Sequence, residues 1–152
     1  RRISLMNDYI DKNGFKIKKG LFKLLDYLKE HNYKIAVATA TDLERATIYL
    51  KKAKVFDYFD EIICGDMIKN GKPDPDIYIK AVEKLNLTAD ECLALEDSPN
   101  GIKSAYNAGC KVIMVPDLSP ADETVNKMVL CDAESLDKVI NVLEEQNGNK
   151  CI

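Results

Sequence analysis

Four runs of apolar residues punctuate this chain: "KIAVAT" at 34–39, "EIICG" at 61–65, "CLALED" at 92–97 and "KVIMVP" at 111–116. A strand with one wet face alternates apolar and polar residues. A run that is apolar at every position needs cover on both faces, which is the situation of a strand inside a parallel sheet. A fifth, weaker run, "MVLCDA" at 128–133, has the same character.

The segments between these runs carry the other period. Leu21, Leu24, Leu25 and Leu28 recur at helical spacing, as do Leu43, Ala46, Thr47 and Leu50. Tyr78, Ala81, Val82 and Leu85 repeat the pattern, Leu136, Val139, Ile140 and Leu143 repeat it again, and Ile102, Ala105 and Tyr106 mark a shorter helix. Ser98 followed by Pro99 suits an N-cap and first turn, and Gly109 suits the end of the same helix. Helices alternating with buried strands predict an α/β fold with a parallel sheet and right-handed crossovers.

The two ends differ from this middle. Residues 1–15, "RRISLMNDYIDKNGF", place Ile3, Met6 and Ile10 on one side of a predicted helix that ends at Asn13-Gly14, ahead of any strand. Residues 66–75, "DMIKNGKPDP", form the longest predicted loop, stiffened by Pro73 and Pro75. The tail "QNGNKCI" predicts a frayed end.

Composition narrows the function. Apolar residues make up 46% and charged residues 31%, a folded rather than disordered profile, and the net charge of −3 comes without a basic patch that nucleic acid would require. No apolar run is long enough to cross a bilayer, and no signal peptide is recognisable, so a cytoplasmic protein without membrane contact is expected. The five cysteines are odd in number, widely spaced and form no Cys-x-x-Cys pair, which argues against a disulfide framework or a thiolate metal site. With His31 as the single histidine, in the polar connection "KEHNYK", histidine-based catalysis has almost nothing to draw on.

In open α/β sheets, ligands bind beyond the carboxyl ends of the strands. After the first apolar run come Thr39, Ala40 and Thr41, hydroxyls and backbone N–H groups at a helix start, suited to phosphate; Thr41 or Asp42 would equally serve as a helix cap. After the second, the loop delivers Lys72 between Gly71 and Pro73, a lysine on fixed backbone. After the third come Glu96 and Asp97, adjacent carboxylates that repel each other unless a cation or solvent lies nearby. Hard oxygen donors of this kind favour magnesium over zinc.

Hydroxyl, lysine and acid pair at successive strand ends resemble the haloacid dehalogenase-like phosphatase superfamily, in particular its phosphoglucomutase-like branch. "KIAVATAT" resembles the strand ending in a hydroxyl residue, "NGKPDPDIY" the lysine motif, and "ALEDSPNGIKSAYNAGCKVIMV" the acidic motif with its helix and next strand. The resemblance implies a three-layer, Rossmann-like sheet and phosphoryl transfer through an aspartyl-phosphate. It implies that Thr39 and the Ala40 N–H hold phosphoryl oxygens, with Thr41 beside them. Lys72 would neutralise charge, and Asp97 would ligate Mg²⁺ with Glu96 as second ligand or orienter. Residues 1–15 resemble the last helix of a helical cap, 16–147 an incomplete core, and 148–152 a tail.

One element of that pattern is missing. The Asp-x-Asp-x-Thr/Val motif that carries the attacking aspartate does not occur; Asp74-Pro75-Asp76 has the spacing but belongs to the lysine motif. The expectation is therefore a fragment of a Mg²⁺-dependent phosphatase for a small phosphorylated metabolite, inactive alone. Its central strand would be absent, and that slot would be closed by direct pairing or filled by a missing N-terminal segment or a second chain. The alternatives are a noncatalytic domain binding an anion or a partner, and a sugar-phosphate mutase fragment. Asp42 after Thr41, where such mutases carry a lysine, favours the phosphatase.

Overall fold

The computed structural model describes residues 2–6, 10–11, 14–15, 20–115, 127–133 and 135–149. Among them, one sheet of six parallel strands forms the centre. In chain order the strands are β1 (Arg2–Met6), β4 (Ala36–Thr39), β5 (Glu61–Cys64), β6 (Cys92–Glu96), β7 (Lys111–Met114) and β8 (Cys131–Asp132). In space they run β5-β4-β1-β6-β7-β8. The helices are α1 (Leu21–Glu30), α2 (Leu43–Lys52), α3 (Asp76–Lys84), α4 (Pro99–Asn107) and α5 (Val139–Asn149).

Alternation along the strands sends neighbouring side chains into two separate cores. Val37, Leu93, Leu95 and Ile113 join Leu21, Leu24, Leu25 and Leu28 of α1, Leu50 of α2 and Val139 and Leu143 of α5. Ala38, Ala94, Val112 and Met114 join Ile77, Tyr78 and Ala81 of α3 and Ile102 and Ala105 of α4. Both faces of the sheet are therefore dry, as the unbroken apolar runs require. This is the three-layer α/β fold expected from the sequence.

Three expectations need correction. The described residues of 1–15 are strand rather than helix: Arg2–Met6 is strand β1, and β2 (Ile10–Asp11) pairs antiparallel with β3 (Gly14–Phe15). Nor is the centre of the sheet vacant. β1 lies between β4 and β6, parallel to both, with Leu5 beside Val37 and Ile3 beside Leu93. Ile3, Met6 and Ile10 fit a helical spacing, but Ile3 and Leu5 also fit a strand's, and the unpaired backbone of two facing strands decides between them. The third correction is at the other end, where α5 continues through Asn149, beyond the boundary expected at 148. Residues 150–152 lie outside the described residues.

Two caps place the site. Asp42 caps α2 by accepting the Arg45 N–H, and Ser98 caps α4 by accepting the Gly101 N–H, with Pro99 in the first turn. Each helix thus starts within four residues of the strand before it, and both starts face the same edge of the sheet.

Candidate functional site

β4 and β5 run side by side in register, so Thr39 and Cys64 end together. The chain turns sharply after Thr39, whose hydroxyl oxygen accepts the Thr41 N–H at 3.2 Å. As an acceptor there, the hydroxyl has its own hydrogen to donate elsewhere. The Thr41 carbonyl accepts the Gly65 N–H at 3.3 Å. A Cβ at Gly65 would sit 2.4 Å from the Ala40 carbonyl oxygen, so only glycine lets the end of β5 support the 39–41 turn this closely.

Across β1, the end of β6 presents Glu96, which is buried with 1% of its surface exposed. Its Oε2 accepts two donors: Lys72 Nζ at 3.1 Å and the Tyr78 hydroxyl at 2.7 Å. A buried carboxylate carries a heavy desolvation cost unless it is paired and hydrogen-bonded, and this one is both. The lysine also lies over the Tyr78 ring, 5.9 Å from its centroid.

The backbone around this pair is held from two sides. A turn closes from Gly71 to Asp74, whose N–H bonds the Gly71 carbonyl at 3.0 Å. The buried Ser104 hydroxyl, on α4, donates to the Asp74 carbonyl at 2.6 Å and ties the lysine loop to that helix. The first turn of α4 comes so close to Glu96 that a Cβ at Gly101 would overlap Oε1 at 1.8 Å.

Asp97 follows on the strand end, partly buried. Among the described residues no group of three or more His, Cys, Asp or Glu side chains could hold a metal ion. Of the two adjacent acids, Glu96 is engaged with Lys72 and Tyr78, and Asp97 brings a second carboxylate to the same strand end. Among the described residues, side chains alone do not make a complete magnesium cage.

Cys64, wholly buried beside Thr39, has its thiol pushed up to about 11 by burial first and then by Asp66 and Asp42. Cys110 is pushed up to about 12, again mainly by burial. Both are protonated thiols at neutral pH, and Cys64, Cys92 and Cys110 are all buried.

Thr39, Ala40, Lys72, Glu96 and Asp97 thus lie along one edge of the sheet. Thr41 is there too, but its N–H turns back to Thr39, and the capping role falls to Asp42. Sequence reasoning passed over three residues that shape the site: Tyr78, Gly65 and Gly101. Tyr78 read as one more apolar position of α3. Its hydroxyl, on a face otherwise lined by Ile77, Ala81 and Val82, was the available signal. The two glycines gave none, because their role is set by chain segments distant in sequence.

Residues 2–115 match the family described as haloacid dehalogenase-like hydrolase. Over 94 residues the chain is 37% identical to the phosphorylated carbohydrates phosphatase of Thermotoga maritima, covering 62% of this chain and 44% of that protein. It is 31% identical over 139 residues to hexitol phosphatase A of Escherichia coli, covering 91% of this chain and 62% of the relative. The crystal structure of β-phosphoglucomutase from Clostridium difficile superposes with a TM-score of 0.75 at 25% identity, covering 90% of this chain and 59% of that one. The match thus spans less than two thirds of each relative's own length.

Proposed function

Because the chain belongs to the haloacid dehalogenase-like hydrolase family, we propose that its strand-end site serves a phosphatase acting on small phosphorylated sugars. The observation that carries this reading is the Lys72–Glu96 pair at one strand end, with the Thr39–Thr41 turn at another. In phosphoryl transfer most of the protein's work is positioning and neutralising charge on the transferred group. The Thr39 hydroxyl donates to a phosphoryl oxygen, with the Ala40 N–H beside it. Lys72, fixed on its loop, supplies the positive charge. The named activities of the Thermotoga and Escherichia relatives support the substrate class.

Magnesium belongs to the proposal with Asp97 as a donor on this edge, where it would screen phosphate charge. The attacking carboxylate is not among the residues assigned here, so the 152-residue chain is expected to bind phosphate without turning it over. Asp42 places a carboxylate next to Thr41, where the mutases that the chain resembles hold a second phosphate group, and this supports a phosphatase over a mutase. Buried thiols at Cys64, Cys92 and Cys110 support a reducing, cytoplasmic setting.

The test is a titration with inorganic phosphate followed by NMR, together with an aryl-phosphate assay containing Mg²⁺. Shifts concentrated at residues 39–41 and 72, lost in Lys72→Ala, and no hydrolysis above background are expected. An anion response elsewhere on the surface would overturn the site, and robust turnover by the 152-residue chain would overturn the assignment of its residues as an incomplete set.

A further inference from the structure

We propose that Tyr78 is a positioning residue for Lys72, acting through Glu96; the functional consequence rests on the phosphate-site reading above. A lysine ammonium is a compact charge on a flexible stem, and an ion pair alone fixes a distance, not a place. The partner's terminal torsion is also soft, since the last torsion of a glutamate has a broad, two-fold profile. Lys72 and Glu96 joined only to each other would swivel together.

Tyr78 removes that freedom. Its side chain is wholly buried in α3, and its hydroxyl donates at 2.7 Å to the same Oε2 that receives Lys72 Nζ at 3.1 Å. A tyrosine hydroxyl sits at the end of a rigid ring with two rotatable bonds, so it marks a point set by the helix rather than by the pair. Gly101 blocks the other direction, because Oε1 lies where a side chain at that position would be. The carboxylate is thus held by α3 on one oxygen and walled by α4 at the other, and the ammonium takes its place from it. The ring adds a second restraint, with the ammonium 5.9 Å from its centroid.

Glu96 thus serves the lysine through the same oxygen that Tyr78 holds. Phe in place of Tyr78 keeps the ring, the burial and the helix, and removes one oxygen.

The experiment compares wild type, Tyr78→Phe, Glu96→Gln and Lys72→Ala. NMR order parameters of the Lys72 ammonium and inorganic phosphate titrations are the readouts. The Lys72 ammonium should be ordered in wild type and markedly less ordered in Tyr78→Phe, with exposed lysines such as Lys23 unchanged. Phosphate affinity should fall roughly fivefold in Tyr78→Phe, the worth of about one buried hydrogen bond. Unchanged Lys72 order in Tyr78→Phe, with order lost in Glu96→Gln, would overturn the proposal and leave the phosphate reading standing. Phosphate binding insensitive to Lys72→Ala would overturn the phosphate reading, while the order parameters still decide the role of Tyr78. Should Tyr78→Phe not fold, wild type decides: the Tyr78 hydroxyl proton must exchange far more slowly than that of the exposed Tyr106, and equal rates would overturn the proposal.

Discussion

Lys72 Nζ lies 3.1 Å from Glu96 Oε2 in an ion pair whose lysine side chain is 11% exposed and whose glutamate side chain is not exposed at all. Removing one partner of such a pair strands the other charge away from water, and the loss exceeds the net worth of the pair itself. Lys72→Ala should therefore cost on the order of 3 kcal/mol in denaturant unfolding. Exposed lysines on helix faces, such as Lys23, should change stability by under about 0.5 kcal/mol. Equal effects at the two positions would mean that the pair is not buried in solution.

Gly101 offers a test in which two rules give opposite signs. Replacing a glycine inside a helix by alanine stabilises by about 1 kcal/mol on propensity alone. Here the new methyl would meet Glu96 Oε1 at 1.8 Å, and the carboxylate is held on its other side by Lys72 and Tyr78. Overpacking of this kind typically costs about 1–3 kcal/mol, so Gly101→Ala should destabilise. A raised melting temperature would show that Glu96 moves aside without penalty.

The thiol of Cys64 gives a pH dependence with a definite sign. Below pH 9.0, the ordinary thiol value, folded and unfolded chains both hold the proton, and the full contribution to stability is present. Between there and about 11 the unfolded chain ionises while the folded one stays protonated, so stability falls across that window and levels off above it. The denaturation midpoint of wild type should decline more steeply between pH 9.0 and about 11 than that of Cys64→Ala, the span that the shifted thiol sets. Parallel curves would show that the thiol is not held neutral by the fold.

Asp97 is expected to matter for cations and not for the architecture. In a Mg²⁺ titration of the 152-residue chain, weak binding in the millimolar range should produce shifts centred on residue 97, and Asp97→Asn should abolish them with little change in stability. Calorimetry and NMR on the same samples check this. Binding retained in the variant would place the cation with other oxygen donors.

The sequence by itself determined the alternation of strand and helix, because that depends only on local period. Continuous runs such as "LALE" must be covered on both faces, and Leu21, Leu24, Leu25 and Leu28 can share a face only in a helix. It also determined that a hydroxyl, a lysine and two acids follow successive strands, since parallel strands all present their carboxyl ends at one edge. Only the tertiary structure decided the rest. Arg2–Met6 became the central strand because the hydrogen-bonding edges of β4 and β6 have to be met, and no local pattern in fifteen residues contains that requirement. Tyr78 became a partner of Glu96, Gly65 a support for Ala40, and Gly101 a wall for the carboxylate because separate segments meet there in space. The spacing of residues along a chain carries the period of its elements, whereas the distance between a hydroxyl on α3 and a carboxylate on β6 exists only once the sheet has been packed.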